Sequence, residues 1–234
     1  MAKKKAQNEA LELNETLNKS EAFFLKYKKA ILAAIAAVVI LVVGWILIKN
    51  YVIEPNEQEA STVLAKGQEY FNNGNFDKAL KGDGAGFGGF AKVAEDYSST
   101  DAGNLANLYT ALCYAHQAKP DWKKALEYAQ KYSTGKDMLI SPASQMALGD
   151  IYANNDQLDK AVECFKKAAK MADSKAADDA NMSIAPVALK KAALILESQN
   201  KKAEALDIYN DIKKKYVNSP AYQDIDKYIE RVSE

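Results

Sequence analysis

Residues 148–168 read LGDIYANNDQLDKAVECFKKA, and this stretch decides the fold. Two helix-forming runs flank the polar turn Asn154-Asn155-Asp156. In the first, Leu148-Gly149 is followed by Tyr152. In the second, Leu158, Ala161, Phe165 and Ala168 recur at steps of three and four, which gathers them on one helical face. Gly149 and Ala161 are small enough for two helices to approach closely, and Phe165 fills the space towards the neighbouring pair. The stretch therefore predicts a helix-turn-helix pair.

The pattern recurs on either side. Earlier come Val63, Gly67 and Tyr70, the turn Gly74-Asn75-Phe76, and Ala79. Then Ala111 and Tyr114 precede Trp122 and Ala125, with one extra residue expected around Lys119-Pro120. Last come Leu189, Ala192-Ala193 and Leu196, the turn Gln199-Asn200, then Ala205, Tyr209 and Ile212. The intervals between Ala79, Ala125, Ala161 and Ala205 are 46, 36 and 44, so the array is irregular. Four such segments in order resemble the tetratricopeptide repeat (TPR), a helix-turn-helix unit of about 34 residues. The fold expected is all-α: four TPR-like repeats over residues 60–220, stacked as a right-handed solenoid. Residues 221–234, with Tyr222, Ile225, Tyr228 and Ile229 on one face, read as the helix that caps its last apolar edge.

A glycine-rich insertion at 82–89 interrupts the first repeat. Gly84, Gly86 and Gly89 spell G-x-G-x-x-G, but a dinucleotide site needs that string between a strand and a helix, and here helical sequence surrounds it. Five glycines in eight residues will not stay helical, each being worth up to about 1 kcal/mol less than alanine. The expected result is a bulged loop whose Phe87 and Phe90 either pack back onto the repeat or contact a partner.

Upstream of the array, Ala30 to Ile48 is a run of nineteen residues without a charge, bracketed by Lys28-Lys29 and Lys49. A helix of that length spans about 30 Å, the thickness of a bilayer core. Of the 31 basic and 31 acidic residues, seven lysines and four glutamates fall in residues 1–29, leaving 24 and 27 for residues 49–234. Lysines beside a span stay cytoplasmic. The expected order is a lysine-rich cytoplasmic tail at 1–29, a transmembrane helix at 30–49, a linker at 50–59, and the repeats outside. The run is too long for a signal-peptide core and ends in Gly44-Trp45-Ile46-Leu47-Ile48 without a small-x-small cleavage site, which favours an uncleaved anchor. Residues 9–29, with Leu11, Leu17, Phe23 and Phe24 among charges, read either as an amphipathic helix at the membrane or as a solvated tail.

Little in the chain points to catalysis. His116 is the single histidine, which leaves no multi-histidine metal site and little room for a serine-histidine-aspartate triad. Cys113 and Cys164 fit no metal or redox spacing; an oxidising compartment would permit a bridge between them, but two separate small apolar residues is the favoured reading. Basic residues are dispersed, so nucleic acid is not an expected partner. No enzyme activity, cofactor, metal or small-molecule substrate is expected.

The lysine-rich tail, single span, acidic linker and short repeat domain together resemble the bacterial YfgM family. That resemblance implies an inner-membrane protein with periplasmic repeats, ancillary to the Sec translocon. Its partners would be translocon subunits, a periplasmic chaperone of the prolyl-isomerase type, and exported client chains. A scaffold in outer-membrane protein assembly or cell-wall synthesis is the alternative. In TPR arrays the first helices line a concave groove. Carried over to this chain, that rule selects Leu64, Gln68 and Phe71 from the first repeat, and Leu105, Leu108 and Leu112 from the second. The third repeat contributes Met146 and Asp150, and the fourth Lys190, Leu194 and Glu197; the surface reads either as a binding groove or as one filled by the C-terminal helix or the linker.

Overall fold

The computed structural model describes residues 26–174, 176 and 178–233. Leu11, Leu17, Phe23 and Phe24 of the tail lie outside the described residues. The chain divides into two compact units, Met1–Pro55 and Asn56–Glu234. In the first, residues 26–48 form helix α1, followed by a π-helical turn at Lys49–Ile53. Among the described residues, one helix is long and apolar enough to cross a membrane, and it contains this run. Its Val38, Ile40, Leu41 and Trp45 side chains are exposed, so no protein core accounts for their apolarity.

The repeat region is built from α2 (Glu54–Asn72), α3 (Phe76–Lys81), α4 (Phe90–Asp96), α5 (Asp101–His116) and α6 (Trp122–Lys131). It continues through α7 (Ile140–Asn154), α8 (Leu158–Asp173), α9 (Ala185–Ser198), α10 (Lys202–Lys215), a 3-10 turn at Pro220–Tyr222 and α11 (Ile225–Ser233). There is no strand among the described residues. Residues 50–59, expected as a linker, are helical. The π-helical turn at Lys49–Ile53 leads directly into α2, two residues ahead of Pro55, which has no N–H to donate to the helix.

One turn design joins the helices of three repeats. The carbonyls of Tyr70, Tyr152 and Leu196 accept the N–H groups of Asn75, Gln157 and Lys201 at 2.9, 2.9 and 2.8 Å, five residues on in each case. Gly74, Asp156 and Asn200, two residues before the next helix, all have φ between 58° and 73°. In the second repeat Pro120 occupies that position, and its ring fixes φ near −65°. The turn therefore lengthens: Tyr114 accepts from Asp121, seven residues on, at 3.1 Å. The insertion is two residues, not the one expected from the sequence.

The second helix of the first repeat is split into α3 and α4 by the glycine loop. Asp83 organises the loop: Oδ1 accepts the N–H groups of Ala85 (2.7 Å) and Phe87 (3.1 Å), and Oδ2 accepts the Tyr70 hydroxyl (2.9 Å). Those donors, the two amides foremost, hold the Asp83 carboxyl below its usual range. Phe87 and Phe90 turn inwards and are buried. A Cβ on Gly67 of α2 would stand 2.6 Å from Phe87 Cζ, so glycine there is what admits the ring. Phe90 stacks on Tyr109 of α5 with centroids 4.8 Å apart, which ties the first repeat to the second.

Three clusters of buried side chains run along the array. The first gathers Ala60, Leu64, Leu80, Phe87, Phe90 and Val93 with neighbouring small residues. The middle one has four members, Ala111, Ala125, Ala129 and Ile151. The last is the largest and centres on Phe165, Leu196, Tyr209, Ile212 and Tyr216, with α11 adding Ile225 and Val232.

Candidate protein-binding surface

First helices of successive repeats lie side by side, bonded directly across two of the junctions. Gln68 of α2 donates to the Tyr109 hydroxyl of α5 at 3.0 Å. Helix α5 approaches α7. Lys191 of α9 pairs with Asp150 of α7 at 2.6 Å. The ladder continues to the C-terminal segment, where Lys190 meets Asp224 at 2.7 Å and Arg231 meets Glu197 at 2.8 Å. α11 thus stands where the first helix of a fifth repeat would.

The residues expected in the groove divide into three sets. Gln68, Phe71, Leu105, Leu112, Met146 and Asp150 are half-buried, and Leu194 is 39% exposed. Leu64 and Leu108 are core residues, 5% and 7% exposed. An interior first helix has neighbours on both sides: α5 buries Ala102, Ala106 and Cys113 on one flank and Leu108 and Ala111 on the other. Towards the groove a narrow stripe stays open, running through Asp101, Leu105, Tyr109, Leu112 and His116. Leu108 sits about 60° round the helix from Leu105 and falls outside it. Lys190 and Glu197 form the third set, occupied by the chain itself. Lys190 also lies 4.2 Å from the centre of the Tyr228 ring. Glu197 also accepts the Tyr209 hydroxyl, and that bond adds to burial in raising the tyrosine above its usual range. Phe87 and Phe90, offered as loop contacts, present no side chain at the surface.

Two features of this surface are absent from the sequence reading. Tyr109 belongs to it as well: Phe71 packs edge-on against both Tyr109 and Phe76, at 5.2 and 5.3 Å, with the His116 ring beside Phe76 at 5.4 Å. A cleft of about 400 Å³ opens between α5 and the start of α7, lined by Asp101, Leu105, Tyr132, Asp137, Ile140 and the loop between them. Its wall is fixed at both ends. Asn104 pairs with the Ser133 backbone in both directions, each bond 2.8 Å. Asp137 caps α7, accepting the Ser141 hydroxyl at 2.5 Å and the N–H groups of Leu139 and Ser141 at 3.0 Å. The Ser141 hydroxyl, followed by the amides, lowers the Asp137 pKa to about 2.

Reactive chemistry is sparse. Both cysteines are free, and burial pushes the Cys113 thiol up to about 12. Among the described residues no group of three histidine, cysteine or acidic side chains is placed to hold a metal ion.

Comparison with known proteins agrees with the geometry. A tetratricopeptide-repeat family model matches residues 142–175. No curated protein matches the chain. Among solved structures, the nearly identical TPR-like repeats of a kinesin light chain from Podosopora anserina are similar at 14% identity and a TM-score of 0.53, covering 75% of this chain and 86% of that one. A point variant of those repeats gives the same identity and TM-score, with 85% of that chain covered. The chain is an all-α protein with a TPR-like solenoid and one N-terminal helix apolar enough to span a membrane. Folds of this class typically act as protein-interaction scaffolds rather than enzymes.

Proposed function

We propose that this protein is a membrane-anchored adaptor that holds other protein chains along the first-helix face of its repeats. The observation that carries the reading is the open stripe of Leu105, Leu112, Met146 and Leu194 on three consecutive first helices, apolar side chains left partly uncovered on a folded surface. The lysine bias around Ala30–Ile48 supports a cytoplasmic N-terminus and an array on the far side of a bacterial inner membrane. With the resemblance to the YfgM family, this favours exported chains, received beside the Sec translocon together with a periplasmic chaperone, as the bound partners.

The test places charge on the stripe while leaving the core alone. Leu112→Glu with Leu194→Glu should keep the helical circular-dichroism spectrum and lose capture of an unfolded secreted client in a pull-down. A folded double variant that still captures the client normally removes this face from the mechanism.

A further inference from the structure

Met138, Leu139 and Ile140 are 59, 65 and 43% exposed. No other run of three consecutive large apolar side chains is so exposed among the described residues of the repeat unit. Ile140 lines the cleft between α5 and α7, where it and Leu105 supply apolar walls, and Met138 and Leu139 directly precede it in the chain. The rest of the lining is polar and acidic. Asp101 lies one helical turn before Leu105, and its carboxylate makes no hydrogen bond among the described residues. Asp137 sits across the cleft as a carboxylate already satisfied by its capping bonds. Glu57 approaches the same end of α5. No lysine, arginine or histidine lines the cleft. Lys136 lies in the adjoining loop, outside the lining.

We propose that this cleft captures a protein segment in which a bulky apolar side chain is flanked by lysine or arginine. The inference rests on the protein-binding reading above and names the chemistry of what is bound. At about 400 Å³ the cleft has room for a bulky side chain. Burying one there covers Leu105 and Ile140, and a flanking cation meets the free Asp101 carboxylate. An acidic segment would bring its charge against Asp101 and Asp137 with no base to receive it, so charge sets the preference while apolar burial supplies the hold.

The probes are three synthetic peptides in a Gly-Ser frame, with central sequences Lys-Leu-Leu-Lys, Glu-Leu-Leu-Glu and Lys-Ser-Ser-Lys. Binding is read by fluorescence polarisation to the full chain in zwitterionic nanodiscs. The Lys-Leu-Leu-Lys peptide should bind best. Asp101→Asn should weaken it about threefold, as expected for one exposed charge, and Ile140→Ser about tenfold through lost apolar contact. Both positions are exposed, so the variants should remain folded by circular dichroism. Equal affinity for the lysine and glutamate peptides overturns the proposal, as does no binding of any peptide or an unchanged affinity in Ile140→Ser. If client capture depends on Leu112 and Leu194 but not on Ile140, the cleft is excluded and the broader reading survives. If Ile140→Ser alters sedimentation with anionic vesicles and leaves peptide affinity intact, the loop is a lipid contact and the proposal fails.

Discussion

Glu57 caps a helix that begins forty-four residues later: its Oε1 accepts the N–H of Ala102 at 2.9 Å, and its Oε2 accepts that of Asp101 at 2.6 Å. Helix starts leave N–H groups without partners and carry partial positive charge, so a carboxylate satisfies both needs. Thr100 completes the cap by accepting from Gly103 at 2.9 Å. Glu57→Ala should lower stability by about 1 kcal/mol, the usual cost of losing a cap. Amide exchange should quicken at Asp101 and Ala102 while α9 and α10 stay protected. Unchanged exchange at those two amides would count against the cap.

Close packing between paired helices depends on one position in the third repeat. A Cβ at Gly149 would lie 2.8 Å from Phe165 Cε1, and the ring is itself buried. Gly149→Leu should destabilise by about 1–3 kcal/mol through overpacking. Lys170→Ala, on the exposed side of α8, should be nearly silent. Equal denaturant midpoints for the two variants would rule out the helix pairing described for residues 140–173.

The two capping acids mark where sequence reading stops. The approach of Gly149 to Phe165 is legible because both lie within one repeat, at a spacing set by the helix pair itself. The glycine loop is legible as a break, since five glycines oppose a helix, but the inward turn of Phe87 and Phe90 depends on Gly67, twenty or more residues away. Leu108 reads as a groove residue because it follows Leu105 by three positions. Which 60° of a helix stays open depends on both neighbours, and one sequence does not supply that. In the sequence Glu57 resembles any solvated acid near a membrane; only the fold brings the first turn of α5 beside it.

Acid should weaken the loop before α7. The Asp137 pKa lies at about 2, below its ordinary value of 3.8. A group depressed on folding stabilises the folded state above its unfolded pKa and loses that effect as pH falls towards the folded one. The contribution is therefore complete above about pH 5 and fades between about 4 and 2. Because the side chain is exposed, solvent screening keeps it within about 1 kcal/mol. Asp137→Asn should have a lower urea midpoint than the parent at pH 6, with the gap closing at pH 2.5. A gap that stays constant with pH would sink this assignment.

Topology can be read directly. Protease added to spheroplasts should degrade the repeat unit and leave a protected fragment that carries the lysine-rich tail and residues 30–48. Recovery of the repeats as a soluble species lacking the first thirty or so residues would show that the apolar run is removed rather than retained.

The small middle cluster gives the array a mechanical seam. Its buried members are three alanines and Ile151, and α6 meets α7 more sparsely than α4 meets α5 or α8 meets α9. In a solenoid, cohesion is the sum of neighbour-to-neighbour contacts, so such a chain yields at its thinnest junction. Amide exchange should therefore be fastest on either side of that junction, between residues 131 and 140, with slower exchange in the blocks that flank it. The Leu105–Ile140 cleft straddles that seam, so a segment wedged between its walls acts as a brace, stiffening the array where it is most compliant.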